Sequence, residues 1–129
     1  MHASGTFDVK LAPQPAAPGT EAAQLGRLAI DKRFHGDLEA SSLGEMLSAG
    51  TEVPGSAGYV AIERVSGSLH GRQGSFVLMH FGVMERGTPS LRVSVVPDSG
   101  TGELAGIRGE FQIRIEQGRH EYTFEYELA

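Results

Sequence analysis

Glu63 and His80 are the two residues of this chain best placed to do chemistry together. Each interrupts a row of apolar residues at every second position. Tyr59, Ala61, Val65 and Leu69 surround the first, and Phe76, Leu78 and Met84 surround the second. Alternate residues of a strand share a face, so both polar groups point where their apolar neighbours point. A carboxylate beside an imidazole on such a face can hold a polar group of a ligand. It can also transfer protons as general acid and base, because burial and a nearby charge shift both pKa values. The same pair serves equally as a satisfied hydrogen bond that fixes strand register. Glu45, two positions from both Leu43 and Leu47, is a second inward carboxylate by the same rule, and an inward arginine or a backbone amide would satisfy it. Tyr59 and Arg86 stand at the ends of the two rows, where they could read an anionic group at a barrel mouth or pair on the surface. Glu45, Tyr59, Glu63, His80 and Arg86 form the candidate ligand-binding set, with Glu63 and His80 also the candidate acid–base pair. Tyr122 and Tyr126 share the core parity of the last strand, with their hydroxyls expected near the rim.

Two strands must position Glu63 and His80, one from Tyr59 to His70 and one from Ser75 to Arg86. A tight turn centred on Arg72–Gln73 would set Val65 against His80, Glu63 against Gly82 and Tyr59 against Arg86. Glu63 then lies diagonal to His80, within cross-strand reach, and Gly82 leaves space beside the carboxylate. The opposite face of this hairpin carries Val60, Ile62, Arg64, Val77, Met79, Phe81 and Val83. It is apolar too, which an isolated barrel wall facing water does not require. The pattern points to a homo-oligomer, with a dimer favoured, in which a second subunit covers this face. The alternative is cover from the proline-rich loop of the same chain.

The remaining alternations complete a set of about eight strands. Residues 3 to 11 form the first, roughly 25 to 38 the second and 40 to 51 the third, while Leu91, Val93 and Val95 mark the sixth. Prolines at 13, 15 and 18 make residues 12–24 a surface loop within one domain spanning 1–129. Pro97 to Glu110 carries glycines at 100, 102, 106 and 109. Strict alternation follows from Ile107 to Ile115, so the segment bends the chain into a strand and does not cradle a phosphate. Gln117–Gly118 then makes a two-residue turn, which pairs Ile115 with His120, Ile113 with Tyr122, Phe111 with Phe124, Gly109 with Tyr126 and Ile107 with Leu128. Glycine totals 18 of 129 residues, against a typical usage of about 7%, and it is dispersed as turns and bulges require. A set of about eight strands makes a closed barrel or a sandwich, and the fold class expected is an all-β, single-domain antiparallel β-barrel, since closure removes exposed strand edges. A barrel of this size has room for packed side chains or one small ligand.

Composition removes several function classes. The formal charge is −5 and the 11 Lys and Arg residues are scattered, so the basic footprint of a nucleic-acid binder is missing. There are no cysteines, which excludes disulfide scaffolds, thiol nucleophiles and Cys-ligated zinc. The five histidines include no HxH or HxxxH pair, and no dinucleotide fingerprint, P-loop or GxSxG elbow is present. No metal and no cofactor is therefore expected. No apolar run approaches the ~20 residues that span a bilayer, and the first residues read as a strand rather than a signal peptide. The expectation is a cytoplasmic protein with no membrane partner.

Four stretches resemble a known family: KRFHGDLEASSLGEML from Lys32, GSAGYVAIERVSGSLHGRQGSFVLMH from Gly55, VVPDSGTGELAGIRGEF from Val95, and the closing YTFEYEL. They are similar to the family called domain of unknown function 3224. The segment SGTGELAGIRG also resembles the glycine-rich segment of the allene oxide cyclase and dirigent barrels. That resemblance implies an eight-stranded antiparallel, allene oxide cyclase-like barrel. No residue maps onto a cyclase catalytic group, so the chemistry does not carry over. The expected function is a small-molecule-binding barrel with an apolar lumen carrying a few polar groups, its ligand small and apolar. The alternatives are a cofactor-free isomerase or cyclase-like enzyme using Glu63 and His80, and a structural protein with a filled barrel.

Overall fold

Alternating apolar and polar residues produce strands almost throughout, as a computed structural model describing all 129 residues shows. Eight strands run in order: β1 His2–Pro13, β2 Gly26–Gly36, β3 Leu38–Gly50, β4 Ala57–Leu69, β5 Arg72–Glu85, β6 Thr88–Val95, β7 Arg108–Glu116 and β8 Arg119–Glu127. Each pairs antiparallel with the next, and β8 pairs with β1, closing the barrel. The only helical pieces are single 3₁₀ turns at Glu21–Ala23 and Gly102–Leu104. No helix is long and apolar enough to cross a membrane.

Three hairpins share one turn chemistry. His70–Gly71, Arg86–Gly87 and Gln117–Gly118 all have positive φ at both residues, the type I′ geometry that matches the twist of paired strands and favours glycine second. The β7–β8 register is as expected from Ile115↔His120 through Gly109↔Tyr126. The β4–β5 turn is not at Arg72–Gln73. It sits at His70–Gly71, because glycine must occupy its second position. Every expected β4–β5 pair therefore slips: Glu63 faces Leu78, Ala61 faces His80 and Tyr59 faces Gly82. The slip is even, so no side chain changes face.

The two ends of the barrel differ. One is packed shut around Leu38, Leu69, Phe76, Phe124 and Tyr126, all buried. Stacked rings continue the filling, with Phe111 and Phe124 centroids 4.1 Å apart and Phe124 and Tyr126 5.1 Å apart. Over this end lies the glycine-rich segment, which does more than bend the chain. It buries Leu104 and Ile107 in the core. It also takes over the edge of β5 beyond the reach of β6: Val96 N donates to Val77 O at 2.8 Å, and Thr101 N to Ser75 O at 2.8 Å. Tyr122 closes the same end, its hydroxyl accepting from Leu38 N and donating to His35 O, both at 3.0 Å. Burial is the main force that pushes this hydroxyl up to about 12. Tyr126 binds His70 Nδ1 there at 2.5 Å, so both tyrosines have core rings and rim hydroxyls, as expected.

At the opposite end the inner wall opens. Leu11, Met84, Leu91 and Ile115 face inward by register yet are exposed, and Val9, Leu28, Met46, Tyr59 and His120 are half-buried. The wall is also thinnest here. β6 and β7 share only two registered pairs, Val93↔Phe111 and Ser94↔Glu110. Thr88–Arg92 and Gln112–Glu116 face each other without a ladder.

Candidate functional site

Between the sealed and the open halves, four consecutive strands each contribute one polar side chain to a single point. They are Lys32 on β2, Ser42 on β3, Glu63 on β4 and His80 on β5, and they are the protein's buried polar or charged residues. Small neighbours make room for them. Ala61 faces His80, and Gly44 faces Glu63. A Cβ at Gly44 would stand 2.1 Å from Ile62 O and 2.8 Å from Glu63 Cβ, so only glycine permits the approach.

Glu63 is the hub and is fully buried. Its Oε2 accepts from Lys32 Nζ at 2.7 Å and from His80 Nε2 at 2.6 Å, while Oε1 accepts from Ser42 Oγ at 2.7 Å. Burial alone would raise its pKa. The hydrogen bond from His80, the charge and hydrogen bond of Lys32, and the Ser42 hydroxyl outweigh it and bring the carboxyl to about 2. An ionised carboxylate only accepts, so the His80 proton must sit on Nε2. Nδ1 is left with no protein partner. Lys32 Nζ lies 5.0 Å and 5.7 Å from the Phe7 and Phe34 ring centroids, a placement that favours the cation. One histidine and one carboxylate meet here, and nowhere do three metal-type ligands converge.

Tyr59 flanks the cluster on the open side. Its ring lies across Gly82, where an added Cβ would come within 2.1 Å of Tyr59 Cε1. Burial, and then the Glu63 charge, push its hydroxyl up.

Of the five expected site residues, the structure brings Glu63, His80 and Tyr59 together and separates the other two. Glu45 is not inward. It lies on the outer wall, where Arg27 Nε donates to it at 2.8 Å, and Leu43 and Leu47 beside it are exposed. The inward row of β3 is Leu38, Ala40, Ser42, Gly44 and Met46. The parity rule failed because it assigns the apolar row to the core, and here the outer wall is apolar as well. Arg86 occupies the β5–β6 turn with φ +48°, and Tyr59 faces Gly82 in its place. Lys32 and Ser42 escaped the sequence reading. The signal was present: Lys32 shares parity with Leu28, Ile30 and Phe34, and Ser42 with Leu38 and Ala40, each a lone polar residue in an inward row.

Comparison with known proteins agrees with this architecture. Residues 3–126 match the model of the family described as protein of unknown function DUF3224. A crystal structure of a DUF3224 protein of unknown function from Shewanella oneidensis MR-1 superposes with a TM-score of 0.92 at 55% identity, covering 100% of this chain and 97% of that one. No curated protein matches. The barrel, with its filled half and its single buried polar cluster, thus belongs to a member of the DUF3224 family.

Proposed function

We propose that the open end of the barrel binds a small, partly apolar molecule whose polar group reaches the Lys32–Glu63–His80 cluster. The observation that carries this reading is position. The buried charges sit where the inner wall passes from sealed to solvent-reached, with half-buried apolar residues above them. A cluster needed only for packing gains nothing from that boundary, since buried ion pairs are weak stabilisers. Val9, Leu28, Met46 and Leu91 offer the apolar wall. Lys32 and His80 offer donors, which suits a ligand with a carboxylate or carbonyl. The kinship with allene oxide cyclase-like barrels belongs to the same reading and supplies a scaffold rather than a reaction.

The acid–base alternative has one favourable observation. Glu63 fixes the His80 tautomer and leaves Nδ1 without a protein partner, as an orienting carboxylate does for a general base. With its pKa near 2, Glu63 itself cannot act as the acid at neutral pH, so proton transfer would fall to His80.

Native mass spectrometry of the purified protein, followed by titration with short straight-chain carboxylates and amides, tests the binding reading. Binding should shift the methyl resonances of Met46 and Met84, and Lys32→Met should weaken the carboxylates more than the amides. Titrations that leave the open-end methyls unmoved while the protein stays folded would overturn it.

A further inference from the structure

The outer faces of β3, β4 and β5 carry an apolar surface that their own chain does not cover. Leu43 is 69% exposed, Phe81 62% and Ile62 57%, and Leu47, Val60, Met79 and Val83 are exposed beside them. The loop at residues 14–25 does not shield them. Its own Leu25 is exposed and joins Leu47, Val60, Phe81 and Val83 along one shallow groove. The seven side chains of β3, β4 and β5 leave on the order of 600 Å² in water, the upper end of the roughly 300–600 Å² patches found on ordinary monomers. A standard interface needs about 800 Å² per partner, so this patch suits the apolar core of one, with a polar rim making up the rest.

We infer that a second copy of this chain docks on the β3–β5 face, sheet against sheet, about a twofold axis. Charge selects this occupant. Arg64 stands inside the patch and makes no ion pair in its own chain, while Glu45, the patch's acidic residue, lies diagonal to it, its Oε1 held by Arg27 and its Oε2 left for a partner. Arg64 faces Leu43 and Glu45 faces Ile62 in the β3–β4 ladder. A twofold axis along the Leu43–Ile62 diagonal therefore places Arg64 of each copy over Glu45 of the other. The apolar residues meet on either side, and both charges are matched twice by one operation. Such self-complementarity is what an isologous dimer requires and what an unrelated partner would have to reproduce by chance. The face is also the reverse side of the wall that carries Glu63 and His80, so docking there leaves the open end free.

Sedimentation velocity tests this directly. The wild-type chain should sediment at twice its 13.7 kDa mass at micromolar concentration. Ile62→Glu and Phe81→Glu should each raise the dimer dissociation constant by about a hundredfold or more while circular dichroism stays that of the wild type. Arg64→Glu should weaken the dimer, and Arg64→Glu combined with Glu45→Arg should recover part of the loss despite Arg27 beside position 45, an outcome that a merely sticky surface does not give. A wild-type monomer at 100 µM or so, well above the affinities of specific complexes, would overturn the inference. So would a monomer that floats with anionic vesicles, or a dimer indifferent to all these substitutions.

Discussion

Glu63 is the residue on which stability and site organisation converge. Its carboxyl titrates at about 2 in the folded protein, against an ordinary 4.5. A depressed carboxyl stabilises the fold fully above its unfolded pKa and loses that contribution as pH falls toward the folded value. Urea unfolding should therefore show stability dropping between about pH 4.5 and 2, with Glu63→Gln lacking this component. Glu63→Gln at neutral pH leaves Lys32 buried without its anion, at a cost on the order of 3–5 kcal/mol. Combining it with Lys32→Met should be milder than the sum of the two single substitutions, since neither charge is then stranded. A double variant that is strictly additive would show that the two groups do not depend on each other. Glu63 and His80 were legible from the sequence because strand parity survives an even register error. Lys32 was passed over although its parity marked it as inward, because a single lysine in an apolar row reads as a surface residue until a carboxylate two strands away is known to meet it.

Among the elements, the β4–β5 hairpin and the β6–β7 seam are opposites. The first is paired along its whole length, from Ala57↔Met84 to Leu69↔Arg72, and the second at two positions. Amide exchange should follow this contrast. The amides of Gln112–Glu116 that face the seam, and those of Thr88–Arg92, should exchange at least tenfold faster than Ala61–Val65, by the usual spread of local opening energies. Equal protection would mean that the seam is paired in solution. Strand existence was legible throughout, because alternation of period two marks it directly. The β4–β5 turn was not, since Gly71 and Gly74 both suit a turn and the choice between them depends on backbone φ.

For the whole molecule, the sequence supported a closed eight-stranded barrel, and the ladder between β1 and β8 bears this out. Closure could be argued from strand count and the avoidance of free edges. Which half is filled could not, because core aromatics and lumen aromatics look alike in a one-dimensional pattern. The double-sided apolar hairpin was equally legible, yet it misled the placement of Glu45. When both rows of a strand are apolar, parity no longer tells inside from outside, and the neighbouring strand decides.

The β1–β8 ladder also fixes an order in time. Seven of the eight pairings join consecutive strands, whereas His2 meets Glu125 and Phe7 meets His120, so this ladder joins parts of the chain over 110 residues apart. Local hairpins can form early, but ring closure must await both strands, and long-range pairing is the slow part of β folding. Substitutions at Val65 or Phe76 should therefore slow folding, whereas Ala3→Gly, at a buried position of β1 that pairs only with β8, should mainly speed unfolding. Chevron kinetics giving φ near 1 at Ala3 would reverse that order. Otherwise the newly folding chain is first a curled ribbon, and it becomes a barrel only in its final step.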